Sequence, residues 1–184
     1  MNNLLILISI AILVELLAAV FIAARTAISR TSESRVEQII KDSQKNLDKL
    51  LKVIQDKSKH IASLQLFALA LTSTGGVLIT FVIFQSYSEN NFSIFLSVVI
   101  VSLLGFIVLG VAPETLGRQK SDAIAIFSAP IALILKPVVW PVAKLLVSIG
   151  NALTPGKGYK DGPFSTADDL RDLVDQAEEA DVIE

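Results

Sequence analysis

Three long apolar runs constrain this chain more than any other feature. The first extends from about Leu4 to Ala24, roughly 21 residues, or about 31 Å of helix at 1.5 Å per residue. The second covers about Ile61 to Phe84 and the third about Phe92 to Ala112, where Pro113 follows. Each is long enough to cross a hydrocarbon core, and in that solvent only helices or closed barrels satisfy their own backbone groups. The first run is not a secretory leader: Met1, Asn2 and Asn3 carry no basic side chain, and the run is too long. Composition agrees with a membrane solvent. Hydrophobic residues make up 52% of the 184 and charged residues 18%, against about 25% in soluble domains. The expected fold is all-α, with three transmembrane helices, a basic cytoplasmic helix, an interfacial belt broken by prolines, and an acidic C-terminal helix.

Polar residues inside the runs mark the first candidate positions. Glu15 lies in the middle of the first span, where insertion of a charge costs about 2.5–3.5 kcal/mol. Two readings of it stand: a protonated or interface-facing side chain at a helix–helix contact, or a member of an ion path. The second run carries Gln65, Thr72, Ser73, Thr74, Gly75 and Gly76, a pattern of close helix packing or of a helix lining a cavity. The third contains Gly105 and Gly110.

Charge sets the expected orientation. Residues 25–60 hold nine Lys or Arg against five Asp or Glu, while residues 85–91 hold none against one Glu. The positive-inside rule then places the first connection in the cytoplasm, the N-terminus outside and the C-terminus inside, in a bacterial plasma membrane. In the basic connection Val36, Ile39, Ile40, Leu47, Leu50, Leu51, Val53 and Ile54 recur at spacings of three and four, which predicts a helix. Ser32 or Ser34 is the expected cap at its start.

Beyond Pro113 the chain stays apolar but is punctuated. Residues 123–154 contain Pro130, Pro137 and Pro141, with Lys136, Trp140 and Lys144 among them, and Pro155 follows. Prolines argue against one straight span, and snorkelling lysines suit segments at the interface. The alternative is a fourth span, which would put the tail outside. Residues 156–184 read as a turn-rich linker, then a helix opening at Ser165 or Thr166 with eight acidic residues from Asp168 onward. Nothing in the chain points to an enzyme: no nucleophile–base pair is readable, cysteine is absent, and His60 is the lone histidine, at a membrane boundary. A net charge of −2 gives no reason to expect nucleic acid.

The order of these features resembles the transmembrane domain of the CNNM/CorC family, the hemolysin-like Mg²⁺ exporters. Phe21 to Arg35 is similar to a family segment reading Phe-x-Ala-Ser-Glu-Thr-Ala-Leu. Gly110 to Leu116, Gly-Val-Ala-Pro-Glu-Thr-Leu, resembles a Gly-Glu motif followed by Pro-Lys-Thr-Leu. Gly150 to Gly156 resembles a segment of hemolysin-like actinobacterial members, so the likeness covers nearly the whole chain, with residues 1–155 as the membrane domain. The resemblance implies a homodimer in membrane lipid, with a downstream pair of CBS modules that bind nucleotide. It also implies Mg²⁺ held by a Ser before the Glu-Thr, an Asn in the second span and the Glu of Gly-Glu. This chain departs at all three: Ala24 stands for the Ser, Val111 for the Glu, and no Asn lies in Leu69 to Ser73. Arg25 replaces the Glu after the Ser position, and Glu114 replaces the Lys after the proline.

Two expectations follow. In one, a rebuilt cation path uses Thr26, Ser29, Thr72, Ser73, Thr74 and the carbonyls around Gly110, with Glu15 or Glu114. In the other, the domain moves no ion and serves as a structural or regulatory partner of an active paralogue. Neutral oxygens hold Mg²⁺ weakly because they do not offset its dehydration, so no cofactor is expected in this segment, with a weakly held Mg²⁺ as the alternative. Arg25 and Glu114 are expected to form a salt bridge reversed relative to the family, or Glu114 to pair with Arg118 at i+4.

Overall fold

A computed structural model of the chain describes residues 2–43, 47–87 and 91–153. Among these the protein is all-α. Helix α1 spans Asn2–Arg30, α2 Glu33–Ser43, α3 Asp48–Gln55 and α4 Lys57–Tyr87. Helix α5 spans Asn91–Leu104, and a π-helical segment, Gly105–Val111, joins it to α6, Ala112–Gln119. Helix α7 spans Ser121–Leu153. The acidic helix expected after residue 164 lies outside the described residues.

Four stretches are long and apolar enough to cross a bilayer, one more than the three expected spans: Leu4–Arg30, Lys57–Ser86, Asn91–Gln119 and Ser121–Leu153. The helices overrun the apolar runs. Helix α1 continues past Ala24 to Arg30, and α4 begins before Ile61, because helical hydrogen bonding does not stop where hydrophobicity does. The basic connection is two helices rather than one. Ser32 Oγ accepts from the Arg35 N–H at 3.3 Å and so caps α2, while the Ser34 hydroxyl turns to Ser32.

Small side chains set the central packing. Ala11, Ala18, Ala24 and Ala27 of α1 are buried, as are Ala62 and Ala68 of α4, so the two helices approach closely. Phe21 and Phe67 meet edge to face with ring centroids 4.8 Å apart. Large side chains such as Leu13, Val77, Phe95 and Phe106 point outward, as a lipid-facing surface requires. At one end of the bundle a core forms from Ile28, Val36, Leu50, Val53, Ile61, Leu64, Ala125, Ala129 and Ala132.

The prolines do not break α7. Pro130, Pro137 and Pro141 lie inside one helix. Their spacing of seven and four places them on a single stripe, so their missing donors fall on one side. Two ion pairs position the helix. Asp122 accepts from Arg35, with Nη2 at 2.8 Å, and Lys136 donates to Asp56. Arg35 lies just past the end of α1 and Asp56 just before α4, at the same end of the bundle. Residues 122 and 136 are about 21 Å apart along the helix. Both contacts tie α7 to the end of the bundle where α2 and α3 pack, and its Ala125, Ala129 and Ala132 join the core formed with Ile28, Leu64 and Ala68.

Candidate functional site

The third long helix changes register where the motif begins. In the Gly105–Val111 segment the Ala112 N–H bonds to Ile107 O, five residues back. Pro113 follows and has no N–H to offer, so the wide turn and the proline alter the ladder at one place. Helix α6 then packs against α1 at backbone distance. A Cβ added to Gly117 would stand 2.7 Å from Ala23 O and 2.8 Å from Thr26 Cβ. Only glycine permits that approach.

The close approach brings three helices' polar groups together. Arg25 of α1 donates through Nη2 to Glu114 Oε1 of α6 at 3.0 Å, and through Nη1 to Gln65 Oε1 of α4. Arg118 reaches the other Glu114 oxygen at 3.6 Å, one turn along α6. Both expected partners of Glu114 are thus present together. The pair is partly sheltered, Arg25 at 25% and Glu114 at 39% side-chain exposure. Thr26 is buried beside it, and its Oγ1 has no hydrogen-bond partner among the described residues.

The hydroxyls do not assemble into one site. Ser29 donates to Thr26 O at 2.8 Å, Thr72 to Ala68 O at 2.9 Å and Thr74 to Ala70 O at 2.8 Å. Each hydroxyl proton is committed to a carbonyl of its own helix. Ser73 faces outward along a groove with Gly76, Val77, Thr80, Phe81 and Phe84. Helices α1 and α4 run antiparallel, with Arg25 opposite Gln65 and Glu15 opposite Gly75. Thr72 to Thr74 therefore sit about 12–15 Å from the level of Thr26. Among the described residues no group of three or more His, Cys, Asp or Glu side chains is placed to hold a metal ion.

Comparison with known proteins decides the lineage. The family model for the cyclin M transmembrane N-terminal domain matches residues 8–184. The chain belongs to the CNNM family. It is also 33% identical over 168 residues to UPF0053 proteins of Mycobacterium bovis and Mycobacterium tuberculosis. That alignment covers 91% of this chain and 38% of each relative, so the chain spans well under half of their length. A CNNM domain with several long apolar helices is an integral membrane protein.

The CNNM resemblance pointed to Ala24, Arg25 and Val111 as substituted positions. Ala24 is buried in the α1 interface, and Val111 is half exposed at the end of the π-helical segment. Gly110, next to it, is also exposed. Neither Ala24 nor Val111 carries a side-chain oxygen. Sequence reasoning noted Gln65 only as a polar interruption and missed Gly117. For Gln65 the available signal was its separation from Gly75, which equals that of Arg25 from Glu15. Gly117 gave none, because its role is to be close to a carbonyl on another helix.

A second cluster holds α7 to the bundle. Asp56 accepts from Lys136 and from Lys59, the latter at 2.8 Å. The hydrogen bond from Lys136, then that from Lys59, lowers the Asp56 carboxyl from 3.8 to about 2. His60 is buried beside it, its Nδ1 3.0 Å from Asp56 O, and its Nε2 has no partner among the described residues.

Proposed function

We propose that this chain is a membrane component of a divalent-cation transport system in which its own cation place is filled by Arg25. It then acts as a structural or regulatory partner, not as the conducting path. The observation that carries this reading is the Arg25 guanidinium bridging Gln65 and Glu114. A fixed cation at the junction of three helices repels a mobile one, and it satisfies the carboxylate that a mobile cation would need. The other side-chain oxygens at this level, those of Thr26, Ser29 and Gln65, are neutral and offset little of a divalent cation's dehydration.

The family context supports reading Mg²⁺ as the cargo of the system and a homodimer or an active paralogue as the partner. The excess of Lys and Arg in residues 25–60 supports placing α2 and α3 on the cytoplasmic side of a bacterial plasma membrane. The Arg35–Asp122 and Lys136–Asp56 ion pairs, which tie α7 to that same end, support reading it as a belt at that interface. No enzymatic role is proposed.

The test combines two measurements on the full chain. Mg²⁺ flux is followed in liposomes carrying an internal fluorescent reporter, and thermal unfolding is followed in detergent across a Mg²⁺ titration. The expected result is flux equal to empty liposomes and no Mg²⁺-dependent rise in the unfolding temperature. A variant combining Ala24→Ser, Arg25→Glu and Val111→Glu should gain a saturable, Mg²⁺-dependent stabilisation, because a ligand that binds only the folded state raises its stability. Flux by the natural chain, or a saturable stabilisation that Glu114→Gln removes, would overturn the reading.

A further inference from the structure

Glu15 lies near the middle of the Leu4–Arg30 span, where α1, α4 and the third long helix meet. Opposite it stands Gly75, and a Cβ there would lie 2.4 Å from Glu15 Oε1 and 2.6 Å from its carboxyl carbon. The missing side chain at position 75 is the space that the carboxyl occupies. Its other oxygen, Oε2, is buried and has no hydrogen-bond partner among the described residues. Beside it is a cavity of about 180 Å³, lined by Ile12, Leu16, Ile79, Leu104 and Val108 as well as Glu15. Those neighbours are all apolar. The basic group further along α1, Arg25, is about 15 Å away and is held by Glu114 and Gln65.

These surroundings select the occupant. A divalent cation takes six or more oxygens, and the lining side chains apart from Glu15 supply none. Water gains little there, since apolar cavities of about 150 Å³ stay dry and admit a benzene-sized molecule. A proton needs only the carboxyl itself. We propose that Glu15, Gly75 and the adjoining cavity form a proton-binding carboxyl site inside the membrane domain, open to small lipid-soluble carboxyl reagents. This inference is independent of the reading of Arg25.

Dicyclohexylcarbodiimide is the probe. The acid proton passes to one carbodiimide nitrogen and a carboxyl oxygen bonds to the central carbon. Migration of the acyl group to nitrogen then gives a stable N-acylurea. Nothing leaves, so the protein gains the mass of one whole reagent molecule. The full chain in lipid nanodiscs at neutral pH, analysed by peptide mass mapping, should carry one adduct on the peptide containing Glu15. A charged, water-soluble carbodiimide should leave Glu15 unmodified. Glu15→Gln should remove the adduct, and Gly75→Ala should slow its formation several-fold by displacing the carboxyl. The natural chain alone decides the main point, so a variant that fails to fold does not protect the proposal. The proposal is overturned if the lipid-soluble reagent leaves Glu15 untouched, or if the water-soluble reagent modifies Glu15 as fast as exposed Glu33. An unchanged rate in Gly75→Ala would remove Gly75 from the site.

Discussion

Glu114 and Glu15 are both carboxylates lodged between long helices, and the bundle treats them in opposite ways. Glu114 lies near the end where α2, α3 and α7 gather, and it has Arg25 on one oxygen and Arg118 on the other. Glu15 lies ten residues further into α1, against a bare Gly75 and an apolar cavity, with one oxygen unpartnered. Where basic side chains are within reach, the fold answers a carboxylate with charge. Deeper in, it answers with empty space. The first arrangement joins three helices through one guanidinium, which we propose fills the place of a mobile cation, while the second is the proposed proton-binding carboxyl.

The comparison breaks most visibly at Gly117. Gly117→Ala places a methyl 2.7 Å from a backbone oxygen, which no rotamer change relieves. It should destabilise the bundle by about 2–3 kcal/mol and part α6 from α1, as read by thermal unfolding in detergent. The charge junction comes next. Arg25→Glu and Glu114→Lys should each cost about 1–2 kcal/mol, and the double variant should recover about 1 kcal/mol. Simple additivity in the unfolding free energies would show that the two groups do not act as a pair. At the deeper carboxylate, Gly75→Ala meets only a flexible side chain, so its cost should stay near 1 kcal/mol. A larger loss would mean that Glu15 has no room to move.

The smallest effect is expected at Asp56. Its carboxyl is lowered to about 2 in the folded chain by Lys136 and Lys59, from 3.8. The stability it contributes is therefore present above pH 3.8 and is lost as the pH falls toward 2. The group is substantially exposed, so screening holds the effect below about 1 kcal/mol. An acid titration of Asp56→Asn should be flatter than that of the natural chain in this window. Parallel titration curves would show that the Lys136 contact does not hold α7 in solution.

Much of the membrane architecture was legible in the residues. Apolar run length marked α1, α4 and the third long helix, and periodicity marked the amphipathic connection. Its division into α2 and α3 was not legible, because the spacing pattern continues through the break. The prolines of α7 also misdirected the reading: they interrupt single hydrogen bonds but share one stripe, and one helix absorbs them. The hydroxyls of Thr72 and Thr74 were candidates by residue type, yet each donates to its own helix.

The sequence by itself determined that this chain meets a bilayer, that its long apolar runs are helical, and that positions 24 and 111 carry no side-chain oxygen. It determined this through hydropathy, period and side-chain chemistry, all of which are local. Only the tertiary structure decided that Arg25 meets Gln65 and Glu114, that Gly117 admits the contact, and that Glu15 faces Gly75. Those outcomes depend on the register between antiparallel helices and on the distance between backbones, which residues far apart in the chain set jointly.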